Sequence, residues 1–234
     1  MATLLTIDAS SSLCSVALER NDELLWSTED QPRRHAQRLL PMIDDIVAQA
    51  GIAKGDLDGI AFGRGPGSFT GIRIAVSVAQ GLSLGLDVPV CGVSSLATVA
   101  LAAAQNDSSV KEVFALMDAH MGEVFWGRFQ VEDSGLTLIG EEVVGSPELC
   151  LAAMAECSGQ VAGNGLALEA FSDCNQALAS LQPEARVMAS LARDAWKQGQ
   201  FGAADQHSPV YLRNSVAWKK LDEQPSLLKR PSAR

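Results

Sequence analysis

The sequence predicts a mixed α/β protein built from two tandem units of one plan. Three observations carry this. The order strand, strand, strand, helix, strand, helix can be traced twice along the 234 residues. Each unit opens on an apolar strand that ends in an aspartate, Asp8 in the first and Asp118 in the second. Short echoes recur at matching places: Ile7-Asp8-Ala9 against Met117-Asp118-Ala119, and Ala61-Phe62-Gly63-Arg64-Gly65 against Ala162-Gly163-Asn164-Gly165. With 47% hydrophobic and 20% charged residues, the chain has too much apolar material to be disordered.

In the first unit, residues 3–9 form an apolar run, and 15–20 and 24–29 follow at hairpin spacing with Asn21-Asp22 as the turn signal. A helix comes next, opened by Asp30, Gln31 and Pro32. Its apolar positions Ala36, Leu39, Leu40, Ile43, Ile46, Val47 and Ala50 trace one helical face, and Pro41 inside it is expected to bend it. Residues 58–63 read as a strand, 70–84 as a helix, 88–93 as a strand, and 94–105 as a helix capped by Ser94 or Ser95. In the second unit, 112–119, 123–131 and 136–144 read as strands, a helix opens at Ser146-Pro147, and 160–163 is a strand leading through Asn164-Gly165 into a helical segment. A meander followed by alternating helix and strand gives a mixed sheet with helices packed on it. Two such ββαβα-type units in tandem describe the actin-like, RNase H-like architecture shared by sugar kinases and Hsp70 proteins. The divisions are 1–107 for the first domain, 108–208 for a smaller second one, 209–223 for a last helix that could pack back on the first, and 224–234 for a flexible tail.

The formal charge is −10, from 18 Lys and Arg against 28 Asp and Glu. Residues 211–234 hold six basic and two acidic side chains, so residues 1–210 carry −14. A body that acidic is a poor grip for a nucleic-acid backbone. Five cysteines at Cys14, Cys91, Cys150, Cys157 and Cys174 match no zinc or redox spacing, which suggests idle thiols in a reducing cytoplasm. The N-terminal run contains Asp8 and lacks the basic start of a signal peptide. The charge-free run 88–106 is too rich in Gly, Ser and Ala for a membrane span. His35, His120 and His207 are scattered, so no helix presents an HxxxH metal pair and no metal ligands are assigned.

The most specific segment is Gly63-Arg64-Gly65-Pro66-Gly67-Ser68-Phe69-Thr70-Gly71-Ile72-Arg73. Its glycines and proline force a tight loop, and Ser68 and Thr70 can cap the helix behind it. Two readings stand: an anion cradle at a helix N-terminus, or a sharp strand-to-helix turn. It lacks the Gly-Lys-Ser/Thr ending of a Walker loop. Candidate anion or nucleotide contacts are Asp8, Ser10, Ser11, Gly65, Pro66, Gly67 and Ser68. The glycine that actin-like ATPases usually carry just after the first-strand acid is absent, since Ala9-Ser10-Ser11-Ser12 follow Asp8. The small residues Gly71, Ala75, Ser77, Ala79, Gly81 and Ser83 allow another helix to approach closely. The cluster Arg33-Arg34-His35-Ala36-Gln37-Arg38 reads either as a solvated helix start or as a partner-binding face, because positive charge there opposes the helix dipole.

Several of these segments together resemble the TsaB (YeaZ) family of bacterial tRNA-modification proteins. They are LLTIDASSSLCSVAL (4–18), RHAQRLLPMI (34–43), GPGSFTGIR (65–73), GVSSL (92–96), MDAHMGEV (117–124), GNG (163–165) and YLRNSVAWKK (211–220), in order over nearly the whole chain. The resemblance implies an actin-like fold and a non-catalytic subunit. It binds and activates TsaD and acts with the small ATPase TsaE. The complex moves a threonylcarbamoyl group from threonylcarbamoyl-AMP to N6 of adenosine 37, in tRNAs reading codons that begin with A. In that family TsaD holds the metal through HxxxH, whereas His35-Ala36-Gln37-Arg38-Leu39 here has no second histidine. The resemblance further implies a TsaD heterodimer, or a homodimer when alone, through two helices that map onto 33–50 and 70–84. On that mapping the interface residues are Arg33, His35, Leu39, Leu40, Ile43, Thr70, Gly71, Ile72, Ala75, Val78, Ala79 and Leu82. No catalytic residue and no cofactor of its own are expected. ATP or ADP contact belongs to the assembled complex, tRNA is met through the partner, and no membrane is involved. An independent ATPase or phosphotransferase of the same fold is the alternative. A metallopeptidase has only scattered histidines to rest on.

Overall fold

The structure is a computed structural model that describes residues 2–132 and 135–213. The first sheet contains β1 (Leu4–Asp8), β2 (Leu13–Arg20), β3 (Glu23–Asp30), β4 (Gly59–Gly65) and β5 (Val90–Ser94), in the order β3-β2-β1-β4-β5. β1 is antiparallel to β2 and parallel to β4. Strand alternation divides this sheet into two apolar faces. Leu5, Ile7, Val16, Leu18, Ile60 and Phe62 form one core with residues of α1 (His35–Gln49) and α2 (Phe69–Leu86). The opposite face presents small residues: Ala17 and Ala61 flank Thr6 in register. Against it lies α5 (Ala185–Lys197), through Ala185, Met188, Ala189 and Ala192.

The second sheet runs β8-β7-β6-β9, from β6 (Glu112–His120), β7 (Glu123–Glu132), β8 (Gly135–Gly145) and β9 (Gln160–Ala162). Val113, Ala115, Met117, Phe125 and Phe129 pack on α3 (Ser95–Asn106) through Leu96, Val99, Ala100 and Ala103. Phe114, Leu116, Val124 and Trp126 face the other way, onto Cys150 of α4 (Pro147–Met154) and onto Leu166 and Phe171. The layers are therefore α1 with α2, the first sheet, α5 with α3, the second sheet, and α4. This is the actin-like duplicated arrangement.

Several local expectations meet their physical cause here. Asn21 and Asp22 both have positive φ, as a two-residue hairpin turn between right-twisted strands requires. Ser94 caps α3 by accepting from Ala97 N, and Ser146 caps α4 with Pro147 at its start. The first helix begins later than its sequence signals suggest. Asp30 is still paired in β3 opposite Leu13, so it cannot cap. Residues 31–34 close a turn with Arg33 at φ 70, and α1 starts at His35 with no side-chain cap. The helical segment expected after Asn164-Gly165 is only two 3₁₀ turns, Asn164–Ala167 and Glu169–Phe171. The Asp, Asn and Ser that follow favour turns over helix. The long helix comes later, as α5, and although it lies within 108–208 it packs on the first sheet. Residues 209–213 carry no regular structure, and the rest of the expected last helix and tail lies outside the described residues.

All five cysteines are free. Burial pushes the Cys14 and Cys91 thiols up to about 11 and Cys150 up to about 12, so these three are packing groups, not thiolates.

Candidate functional site

Two features stand out, the outer face of α1 and α2 and the cleft between the two units. The outer face is built by helices that each owe one side to the core. On α1, the stripe with helical spacing is divided: Leu39, Ile43, Ile46 and Val47 are buried in the core while Ala36 and Leu40 are exposed, and His35 is held at 7% exposure with its Nε2 3.2 Å from the Leu13 carbonyl. On α2, Ile72, Ala75 and Ala79 are buried too. Gly71 is buried for a different reason: a Cβ there would stand 1.8 Å from the Ala9 carbonyl oxygen. Of the twelve interface candidates, Arg33, Leu40 and Thr70 are exposed and Val78 and Leu82 are half-buried; the other seven belong to the chain's own interior.

α2 turns outward Ser77 and Gly81 of its small residues, together with Phe69, Arg73, Leu84 and Gly85, which the interface mapping did not include. Phe69 is 52% exposed and Leu84 86%, with Arg73, Ser77, Gly81 and Gly85 also exposed. The Cβ positions of Gly81 and Gly85 have nothing within 4 Å. The 18 residues of α2 have a mean hydropathy of 1.3, yet only 33% of them are buried. An amphipathic surface helix would be polar on the outside; apart from Thr70 and Arg73 in its first turns, this one exposes only apolar or small residues. The available signal was that all-round composition, not periodicity.

The cleft has a volume of about 600 Å³ and is lined by Ser11, Ser12, Arg33 and Thr70 from one unit and Asp118, His120 and Asn164 from the other, with Ser10 and Ser68 at its floor. Of the seven anion candidates only Ser10, Ser11 and Ser68 reach it. Asp8 is fully buried. Its carboxylate accepts from both the N–H and the hydroxyl of Ser10 at 3.0 Å, and Ser95 donates in turn to the Ser10 hydroxyl. Burial lifts its pKa from the usual 3.8 to about 6, against the lowering effect of the Ser10 hydrogen bonds. The glycine loop is filled by the β1–β2 turn. Ser68 N–H donates to the Ser10 carbonyl at 2.7 Å, and a Cβ at Gly67 would lie 2.3 Å from that same oxygen. Ser68 Oγ accepts from Gly71 N. A nucleotide phosphate, which the fold family implies, needs free donors here. The N–H groups of Ser10, Ser68 and Gly71 and the Ser10 hydroxyl are used within the chain, so the backbone of this loop does not fit it. Its glycines serve the close approach of two backbone segments. Across the cleft, Asn164 Oδ1 accepts from Asp118 N, and Asp118 pairs with His120 Nδ1 at 3.1 Å. Among the described residues no group of three or more His, Cys, Asp or Glu stands ready to hold a metal ion.

Comparison with known proteins gives one direction. The family described as "TsaD: tRNA N6-adenosine threonylcarbamoyltransferase" matches residues 29–202. The tRNA threonylcarbamoyladenosine biosynthesis protein TsaB of Escherichia coli K12 is 39% identical over 226 residues, covering 93% of this chain and 97% of that one. Its namesake in Haemophilus influenzae is 38% identical, over 94% and 97%. The solved structure of YeaZ from Pseudomonas aeruginosa is 42% identical, covers 91% of this chain and 100% of that one, and superimposes with a TM-score of 0.83.

Proposed function

Since the chain belongs to the TsaB (YeaZ) family of tRNA threonylcarbamoyladenosine biosynthesis proteins, related to TsaD, we propose that it is a non-catalytic, cytoplasmic subunit that binds and activates TsaD. Together with TsaE it serves transfer of the threonylcarbamoyl group to adenosine 37, and it meets tRNA through its partner. The observation that carries this is α2, an apolar helix that leaves Phe69, Ser77, Gly81, Leu84 and Gly85 exposed. A face of that kind marks a docking surface. The same face would join two copies when TsaD is absent. The sealed Asp8 and the self-satisfied glycine loop support the absence of intrinsic ATP turnover. Nucleotide contact in the assembled complex would then fall to Ser11, Ser12, Thr70 and Arg33 at the cleft rather than to the loop.

The test uses Gly81→Arg. A residue there meets open space, and replacing a helical glycine favours the helix by up to about 1 kcal/mol. The variant should keep or gain thermal stability while losing at least about tenfold in TsaD affinity. Unchanged affinity would move the interface elsewhere.

A further inference from the structure

After α5 the chain runs back along the first unit and then crosses to the second. Gly202 bridges to Val90 on the edge strand β5, and Gln80 of α2 donates to the carbonyls of Ala204 and His207 at 3.0 and 3.2 Å. Val210 N–H donates to the Arg64 carbonyl at 2.8 Å. Tyr211 then lies against the exposed start of α2. Its ring is 5.3 Å from that of Phe69, its hydroxyl accepts from Arg73 Nε at 2.9 Å, and the Arg73 guanidinium sits 3.6 Å above the Phe69 ring. One residue further on, Leu212 packs into the core of the second unit. Arg213 then donates to the carbonyls of Ala119 and His120, at 3.2 and 3.4 Å, and pairs with Glu123.

The hairpin that Arg213 grips is under local strain. His120 and Met121 have φ 60 and 57, neither is glycine, and Gly122 follows at φ 80. A two-residue turn needs two such residues; here there are three in a row. Non-glycine residues in this region persist where surrounding contacts over-determine them. The two carbonyls held by Arg213 belong to the residues entering that run, and His120 lines the cleft. A cation–aromatic cluster on the α2 face is thus joined to a strained cleft hairpin by three consecutive residues.

We propose that residues 211–213 couple the α2 face to the cleft: occupation of α2 holds Tyr211 against the stacked Phe69–Arg73 pair, and Arg213 transmits that ordering to the β6–β7 hairpin and His120. This rests on the docking role of α2. It makes the cleft of this subunit report on whether a partner is bound, and by linkage a change in the cleft alters partner affinity by the same factor.

Hydrogen exchange of residues 118–124, followed on the full chain, tests it in two arms. In the isolated protein, Arg213→Ala and the remote Arg73→Ala should both speed hairpin exchange, by about fivefold or more. In the presence of TsaD the wild-type hairpin should be protected, and Arg213→Ala should lose that protection while still forming the complex. If Arg73→Ala leaves the hairpin unchanged while Arg213→Ala speeds it, or if TsaD protects the hairpin equally in Arg213→Ala, the coupling is wrong. If no TsaD complex forms, the docking reading fails, and the isolated-protein arm still decides whether α2 and the hairpin are linked.

Discussion

Asp8 is a carboxylate kept at a cost. Its folded pKa of about 6 lies above the usual 3.8, so the folded state binds more protons than the unfolded state between those values. Its contribution is most favourable below pH 4, declines as pH rises through 6, and stays unfavourable above that by about 3 kcal/mol. Asp8→Asn should flatten the pH profile of urea stability and be at least as stable as the parent at pH 8. A variant less stable at pH 8 than at pH 5 by the parent's margin would remove Asp8 as the cause. Gly71 and Gly81 make a second contrast at this scale, two glycines on one helix with opposite surroundings. Gly71→Ala should destabilise the fold by more than about 2 kcal/mol, because its Cβ meets the Ala9 carbonyl, whereas Gly81 accepts a side chain freely. The GPGSFTGIR segment was legible in the sequence as a special loop, and both readings of it agreed on a helix start. Sequence could not tell that the groups closing it are the carbonyls of Ala9 and Ser10, because that contact spans nearly sixty residues of chain.

At the level of elements, the N-terminus of α2 depends on Ser68, whose Oγ accepts from Gly71 N. Ser68→Ala should cost about 1 kcal/mol in denaturant unfolding. Strand and helix order was readable throughout both meanders, since period-2 runs and turn residues such as Asn21-Asp22 act locally. Helical spacing on α1, and small residues and the family mapping on α2, identified faces, and a face seen in sequence says nothing about which side of it is the chain's own core. Leu39, Ile43, Ile72 and Ala79 therefore pack inward, while Phe69, Arg73, Gly81 and Leu84 are presented outward. The late start of α1 and the separation of α5 from its own unit likewise follow from tertiary pairing: β3 retains Asp30, and the alanine-lined face of the first sheet accepts α5.

For the whole molecule, the two-unit plan was visible because each unit repeats an acid-ended strand and a glycine turn. The structure gives those echoes a shared use. A Cβ at Gly63 would meet the Asp8 carboxylate, and one at Gly163 would meet the Leu116 carbonyl, each on the neighbouring first strand of its unit. The charge of −14 on residues 1–210 bears on partners at the same scale. The isolated protein is expected to bind tRNA only weakly at about 0.15 M salt, which filter binding or mobility shift would check. The proposed role of this chain is docking on TsaD rather than chemistry of its own. Reconstituted threonylcarbamoylation of tRNA with TsaD and TsaE, titrated with the wild-type chain, Gly81→Arg and Asp8→Asn, tests it most directly. Asp8→Asn should match the wild type. Gly81→Arg should need at least about tenfold more protein to approach the same final rate. A normal titration by Gly81→Arg, or loss of rate in Asp8→Asn with TsaD binding intact, would contradict it.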